Sequence, residues 1–283
     1  MKFGLCIRLD YPPTESGTED GQKGWLRHLK AELMTASQAG FDYVELPLSP
    51  LTALPDDLFA QARSVLESSG LPCPVMNSLI RPGLKLTGPE ADPKEAEAYL
   101  SHAILRAQQM GAHTLVLGAG KARNVPDGFA QETAGQQWEA FLHQCEAKAA
   151  EQEIIIAVEP LNRKECNLIK WVEEAIELAA GLYLPHIRAA ADSYHMLVQR
   201  EEYDILEEAV DMGLLAHVHL ADRDRKLPGS PNVDKGINFQ ELLRVLKQSG
   251  YSGALSFECR PEDSGAWSLR QSLAYVKQIW DEQ

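Results

Sequence analysis

Short apolar runs alternate with longer amphipathic stretches from one end of the chain to the other. Eight runs read as strands: Phe3–Arg8, Tyr43–Leu46, Pro74–Asn77, Thr114–Leu117, Ile154–Glu159, Ile187–Asp192, Ala216–Leu220 and Ala254–Glu258. Several are apolar at nearly every position, the pattern of parallel strands covered on both faces. The stretches between them repeat at helical spacing. Leu100, Ala103, Ile104 and Ala107 share one face, as do Trp138, Phe141, Leu142 and Cys145, and again Phe239, Leu242, Leu243 and Leu246. Asp92-Pro93-Lys94-Glu95 combines an N-cap acid, a proline at the first helical position and an acid at the third. Asn238 with Glu241 forms a second capping box. Gly40, Gly70, Gly111 and Gly250 stand where helices end ahead of the next strand.

Eight strand–helix units in 283 residues leave about 35 residues for each, close to the size of a βαβ element. A single α/β domain over residues 1–283, an eight-fold (β/α)8 TIM barrel, is the economical reading. A doubly wound sheet would carry a glycine-rich phosphate turn after its first strand, and Leu9-Asp10-Tyr11-Pro12-Pro13 is not one. The longest non-periodic stretches, residues 10–22, 78–92, 118–129 and 222–237, all follow strands. In a barrel they gather at the C-terminal face, where active sites are built.

Charge narrows the partners. Lys and Arg number 27 against 41 Asp and Glu, a formal net charge of −14. Long-range attraction to nucleic acid or an anionic membrane needs the opposite sign. No apolar run approaches the roughly 18 residues of a membrane span. The opening MKFGLCIRLDYPP is interrupted by Arg8 and Asp10, so it reads as a first strand rather than a signal peptide. The five cysteines are odd in number and contain no Cys-x-x-Cys, which points away from a disulfide framework or a thiolate zinc site and towards a reducing, cytoplasmic setting.

Metal-ligating residue types recur at the strand ends. The fifth strand closes on Glu159, the sixth on Asp192, the seventh contains His217 and His219 on one face, and the eighth closes on Glu258. A lone acid at a strand end is ordinarily a loop cap. Four such residues converging on one mouth are a ligand set. Glu159, Asp192, His219 and Glu258 offer three carboxylates and an imidazole, suited to one hard or borderline divalent ion: Mn2+ first, with Zn2+, Co2+ or Mg2+ as alternatives. Without it, three ionised acids repel and at least one pKa rises.

Four segments carry a family resemblance: Glu159-Pro-Leu-Asn-Arg-Lys-Glu165 followed by Asn167; Asp192-Ser-Tyr-His195-Met; His217-Val-His219-Leu-Ala-Asp-Arg-Asp-Arg225-Lys-Leu-Pro228-Gly229; and Ser256-Phe-Glu258. The chain resembles the xylose-isomerase-like barrel superfamily, nearest its ketose 3-epimerase branch. The C-terminal half matches in motif spacing, and the N-terminal half more loosely through Val44-Glu45-Leu46 and Gly111-Ala112. The resemblance implies a metal-dependent sugar isomerase or epimerase that removes a proton α to a carbonyl through a metal-stabilised enediolate. Glu159 and Glu258 would be the acid/base pair. It further implies that His195, Arg225 and Glu165 hold substrate oxygens, and that the partner is a small sugar or sugar derivative, with a homodimer or homotetramer as the assembly.

Other candidates have competing readings. Glu45 is read as a substrate contact or a structural ion pair, Asn77 as a residue of the mouth, and His217 as packing or a hydrogen bond. Gly118-Ala119-Gly120 reads as a tight turn clearing the pocket rather than a phosphate loop. Arg8, Arg81, Lys85, Lys121, Arg123, Arg163, Arg223, Arg225, Lys226 and Arg260 fall at or just after strand ends. Solvated loop charges account for most of them, and a few converging on a sugar acid or phosphate for the remainder. One alternative activity is a lyase or dehydratase acting on an inosose or keto-glycoside, which begins with the same proton abstraction. A remote one is an abasic-site endonuclease-like phosphodiesterase. That reading needs further histidines where this chain has Asn77, Gly118 and Asp234-Lys235-Gly236.

Overall fold

The eight apolar runs pair in sequence order, and the eighth pairs back to the first, closing a parallel barrel. The structure, a computed structural model, describes residues 1–12, 19–231, 233, 235–260 and 265–283. In chain order the elements are β1 (Phe3–Cys6), α1 (Glu19–Ala39), β2 (Tyr43–Pro47), α2 (Leu48–Thr52), α3 (Asp56–Ser69), β3 (Val75–Asn77), α4 (Pro93–Gln109), β4 (Thr114–Leu117), α5 (Gly120–Arg123), α6 (Gln131–Ala150), β5 (Ile155–Val158), α7 (Val172–Leu182), β6 (Ile187–Asp192), α8 (Ser193–Gln199), α9 (Asp204–Asp211), β7 (Leu215–Leu220), α10 (Phe239–Gln248), β8 (Ala254–Phe257) and α11 (Ala266–Glu282). This is a TIM barrel. Among the described residues no helix is long and apolar enough to cross a membrane.

Alternation along each strand decides what faces in and what faces out. Outward residues such as Leu46, Leu115, Ile156, Val218 and Phe257 join the buried faces of the helices in one large core. Inward residues Tyr43, Val75, Val116, Ala157 and Ala190 form a separate layer that plugs the barrel. Gly4 makes room for this plug, since a Cβ there would lie 2.1 Å from the Tyr43 ring. The Tyr43 hydroxyl is fixed 2.8 Å from Ser256 Oγ. Two residues further along β3, β5 and β6, the inward positions become Asn77, Glu159 and Asp192, with His219 beside Asp192, while on β2 the staggered register leaves Glu45 lower, level with Val75 of the plug. The change from an apolar to a charged layer is therefore one step of the strand period.

The sequence places strand ends slightly too late at Arg8, Glu159 and Glu258, which lie just past β1, β5 and β8. The ladder has not fully released the two acids. Glu159 N–H still donates to Leu117 O at 3.1 Å and Glu258 N–H to Leu220 O at 3.0 Å. Their backbones are held while their side chains are free of the sheet. β7 carries one extra residue opposite the Ala189/Ala190 step of β6, and this bulge sets Asp192 directly beside His219.

The helix signals act as read. Asp92 Oδ1 accepts from Lys94 N and Glu95 N at 2.9 and 3.2 Å, and Asn238 accepts from Glu241 N. Gly70 closes α3 with φ of 72°, a left-handed value that favours glycine. The N-terminus of α7 is capped from a distance. Trp171 offers no side-chain cap, and Glu201 Oε1 accepts from Val172 N at 2.8 Å instead. Burial, the largest influence, pushes the Glu201 carboxyl up to about 7 against these amide bonds. The folded state then binds more protons than the unfolded one between the ordinary carboxylate value and about 7. Stability is thus fullest at acid pH and falls as pH rises through that window. Glu201→Gln keeps an acceptor without the charge. Thermal melts should show wild type losing a few degrees relative to this variant between about pH 5 and about pH 8. A constant difference would refute the buried-carboxyl account.

Candidate active site

Glu159 follows β5, Asp192 ends β6, His219 lies in β7 and Glu258 follows β8. One ligand atom from each lies within 4.8 Å of the others. His219 Nδ1 is 2.7 Å from Glu159 Oε1. The turn after β7 brings in Arg225, whose guanidinium donates to Asp192 Oδ2 at 3.3 Å and to Glu258 Oε2. Its Nη2 lies 2.9 Å from His195 Nε2, and its plane sits 4.8 Å over the Tyr194 ring. Burial opposes the charge on Arg225, but Asp192 and Glu258 more than offset it and hold the guanidinium protonated.

Below the four-residue cluster, Glu45 is fully buried. Its Oε2 accepts from His217 Nε2 at 3.0 Å and its Oε1 from His219 Nε2 at 2.8 Å. Burial alone would raise the Glu45 carboxyl. The two imidazoles, His219 foremost, hold it well below the carboxylate range instead. For His219, burial disfavours the charged form, but Glu45, Cys6 and Glu159 together outweigh it and lift the imidazole well above its ordinary value. Burial lowers His217. The hydrogen bonds to Glu45 place Nε2–H on both rings, so His219 turns its Nδ1 towards Glu159 and the cluster. Glu45 thus lies beneath the cavity rather than along its wall, with both oxygens engaged.

Above the cluster opens a cavity of about 450 Å³ whose lining includes Cys6, Arg8, Asn77, Gly118, Glu159, Glu165, Arg225 and Glu258, within the range of small-molecule sites. Asn77 is on its wall, as expected of a mouth residue. Glu165 reaches it through Asn162, which donates to Glu165 Oε1 at 3.0 Å and lies 2.8 Å from His195 Nδ1. Gly118 is required by clearance. A Cβ there would stand 2.7 Å from Glu159 Oε2.

Two residues escaped the sequence reading and one was given the wrong surroundings. Asn162, almost fully buried, was legible only as part of a motif. Cys6 lies two residues past Gly4 on β1, so strand period alone could have turned it inward. With Glu45 and His219 it forms a second group of close ligand atoms, but burial holds its thiol well above the ordinary value. Arg123 is the correction among the loop cations. It is fully buried rather than solvated. Its guanidinium donates to the carbonyls of Leu117, Glu159, Leu168 and Ile169 at 2.8–3.1 Å and sits 5.4 Å over the Trp138 ring. Loop charge and buried clamp look alike in sequence, because only the fold brings four carbonyls within reach of one guanidinium.

Three carboxylates and one imidazole nitrogen within that spacing suit a divalent cation. Further histidines for a three-metal site are missing at Asn77 and Gly118, and Asp234 lies outside the described residues.

Residues 33–279 match the family described as xylose isomerase-like TIM barrel. A 3-dehydro-D-guloside 4-epimerase from Escherichia coli K12 is 34% identical over 140 residues, 48% of this chain and 50% of that protein. The chain thus spans about half the length of that relative in the matched region. A ketose 3-epimerase from Arthrobacter globiformis is 25% identical over 265 residues, covering 90% of this chain and 88% of that one. The apo crystal structure of 3-keto-D-glucoside 4-epimerase from E. coli shares the fold with a TM-score of 0.74 at 22% identity, covering 98% and 99% of the two chains.

Replacing Arg123 by Met keeps the volume and removes the charged donor from four carbonyls, leaving Glu159 O with no other side-chain donor among the described residues, while Leu117 O and Ile169 O keep backbone amides and Leu168 O the Cys166 thiol. Equilibrium denaturation should show a loss of about 3 kcal/mol or more, with Arg123→Lys falling between. A loss under about 1 kcal/mol would rule out the clamp.

Proposed function

Since the chain belongs to the xylose isomerase-like TIM barrel family, whose relatives here are sugar epimerases and isomerases, we propose that it is a divalent-metal-dependent sugar epimerase or isomerase working at a carbon beside a carbonyl. The observation that carries this reading is the pair Glu159 and Glu258. They enter one cavity from β5 and β8, strands separated by two others, and share a cluster with Asp192 and His219. A cation held by these four residues, Mn2+ as first choice, supplies positive charge to the carbonyl and neighbouring hydroxyl oxygens and so acidifies the adjacent C–H.

The protein groups divide the remaining work. One glutamate takes the proton from the α-carbon, and the other returns one from its own side of the cavity, which inverts the centre. Return to the neighbouring carbon would instead exchange aldose and ketose. Arg225 bridges Asp192 and Glu258 and presents its remaining N–H groups to substrate oxygens. Glu165 and Asn77 complete the polar wall that fixes the hydroxyls, and His195 supports Arg225 from behind. Glu45 orients His219 from behind, in the manner of carboxylates that support ligating imidazoles. The names of the relatives favour keto sugars, free or glycosidic, as the substrate class.

Incubation with Mn2+ in D2O over a panel of ketoses and 3-keto-glycosides, followed by NMR, should place deuterium at one carbon. Glu159→Gln and Glu258→Gln should each slow that exchange by about 10²–10⁴-fold. Unchanged exchange in either variant removes that residue from the acid/base pair. Glu45→Gln acts one layer lower. Metal titration should show affinity weakened by about 10–100-fold, and unaltered affinity would leave Glu45 with a purely structural role.

A further inference from the structure

A second cavity of about 580 Å³ lies on the same face of the barrel, beside the first, lined by the loops that follow β5, β6 and β7. Four cations line it: Arg163, Lys164, Arg200 and Arg223. The one acid in its lining is Asp224. Among the described residues none of the four cations has a carboxylate within ion-pair distance, in contrast to Arg106 with Asp56 and Arg225 with Asp192. Two nearby acids are committed elsewhere. Asp222 Oδ1 accepts from the backbone of Arg223 and Ile237, and Glu201 caps α7.

Two of the guanidiniums are held in place without being neutralised. Gln199, 3% exposed, turns its Oε1 to Arg163 Nε at 2.9 Å. Arg223 donates Nε and Nη2 to Lys235 O at 3.0 and 2.7 Å. Both therefore have an orienting edge bound to a neutral acceptor and further N–H groups left over. Arg163, Lys164 and Arg200 are exposed and Arg223 is half-buried, so their free N–H groups face solvent. In a chain of net charge −14 this concentration of base runs against the overall field. An oxyanion is the ligand that satisfies it: planar forks match phosphate or carboxylate oxygens, and Lys164 adds a point charge.

We infer that this cavity is an oxyanion-binding subsite, taking a phosphate or carboxylate group next to the active cavity. Tyr194 forms the partition, contributing to the basic wall and lying against Arg225 on the active side. The anion belongs either to one end of a substrate that bridges the two cavities or to a separate small effector. The inference stands apart from the epimerase reading, because occupancy is read by binding and not by turnover.

The full-length protein is titrated with inorganic phosphate by calorimetry, both with and without Mg2+. Lys164→Glu/Arg200→Glu is the informative variant, since neither side chain makes a hydrogen bond in the described structure and folding should be spared. Lys30→Glu/Lys94→Glu on α1 and α4 makes the same change of net charge far from the cavity. Phosphate should bind wild type and the remote variant alike, and bind the cavity variant at least ~10-fold more weakly. No binding to wild type, or equal weakening in both variants, overturns the subsite. The source of the anion is then read with D-fructose 6-phosphate. Binding tighter than both phosphate and D-fructose marks a ligand spanning the two cavities, while binding equal to phosphate marks a free effector. Either outcome stands with the subsite.

Discussion

Mutual repulsion among acids crowded into a nearly dry space is the constraint around which the barrel mouth is built. Glu159 and Asp192 are buried, Glu258 stands beside them, and Glu45 lies fully buried one layer below. Carboxylates this close stay ionised only when positive charge reaches each of them. The protein supplies it in two places. Arg225 spans Asp192 and Glu258 from the loop after β7, and His219 spans Glu159 and Glu45 through its two ring nitrogens. A divalent cation at the four-residue cluster would complete the balance. The same charges that make the site costly to fold are what let it polarise a bound carbonyl.

The surrounding scaffold is arranged to hold that charge in place. Below it, the plug of Tyr43, Val75, Val116, Ala157 and Ala190 gives the acids a rigid, apolar floor. To one side, Arg123 ties the ends of β4 and β5 through their carbonyls, including that of Glu159 itself. Gly118 keeps the neighbouring backbone out of the volume that the Glu159 carboxylate occupies. The bulge on β7 aligns Asp192 with His219. None of these residues need touch a substrate, yet each fixes a group that would.

Much of this was legible in the chain. Continuous apolar runs spaced by amphipathic helices bury both faces in a parallel α/β sheet, eight such units without a glycine-rich phosphate turn favour the barrel over the doubly wound form, and the strands matched within a residue or two. Residues that end strands in such a barrel must meet at its mouth, so the sequence alone groups Glu159, Asp192, His219 and Glu258. Two-residue periodicity could also have turned Cys6 inward. The role of Glu45 was not decidable, because the alternation that points it inward does not say whether it reaches the cavity or stops one layer short. Arg123 was misread as a loop charge for the same kind of reason: burial of a cation depends on acceptors from segments 36 to 46 residues away in sequence.

The sequence by itself determined the barrel, its order of strands and the convergence of three acids and an imidazole, because these follow from local periodicity and the geometry of parallel sheets. Tertiary structure alone decided which charges neutralise one another. It paired Glu45 with two imidazoles and Arg225 with two acids, buried Arg123 against carbonyls, and left Arg163, Lys164, Arg200 and Arg223 around one cavity with no acid partner among the described residues. Such pairings depend on distances of a few ångströms between residues remote in the chain. Composition and spacing carry no information at that range, since electrostatic energy in a desolvated site changes steeply over each ångström.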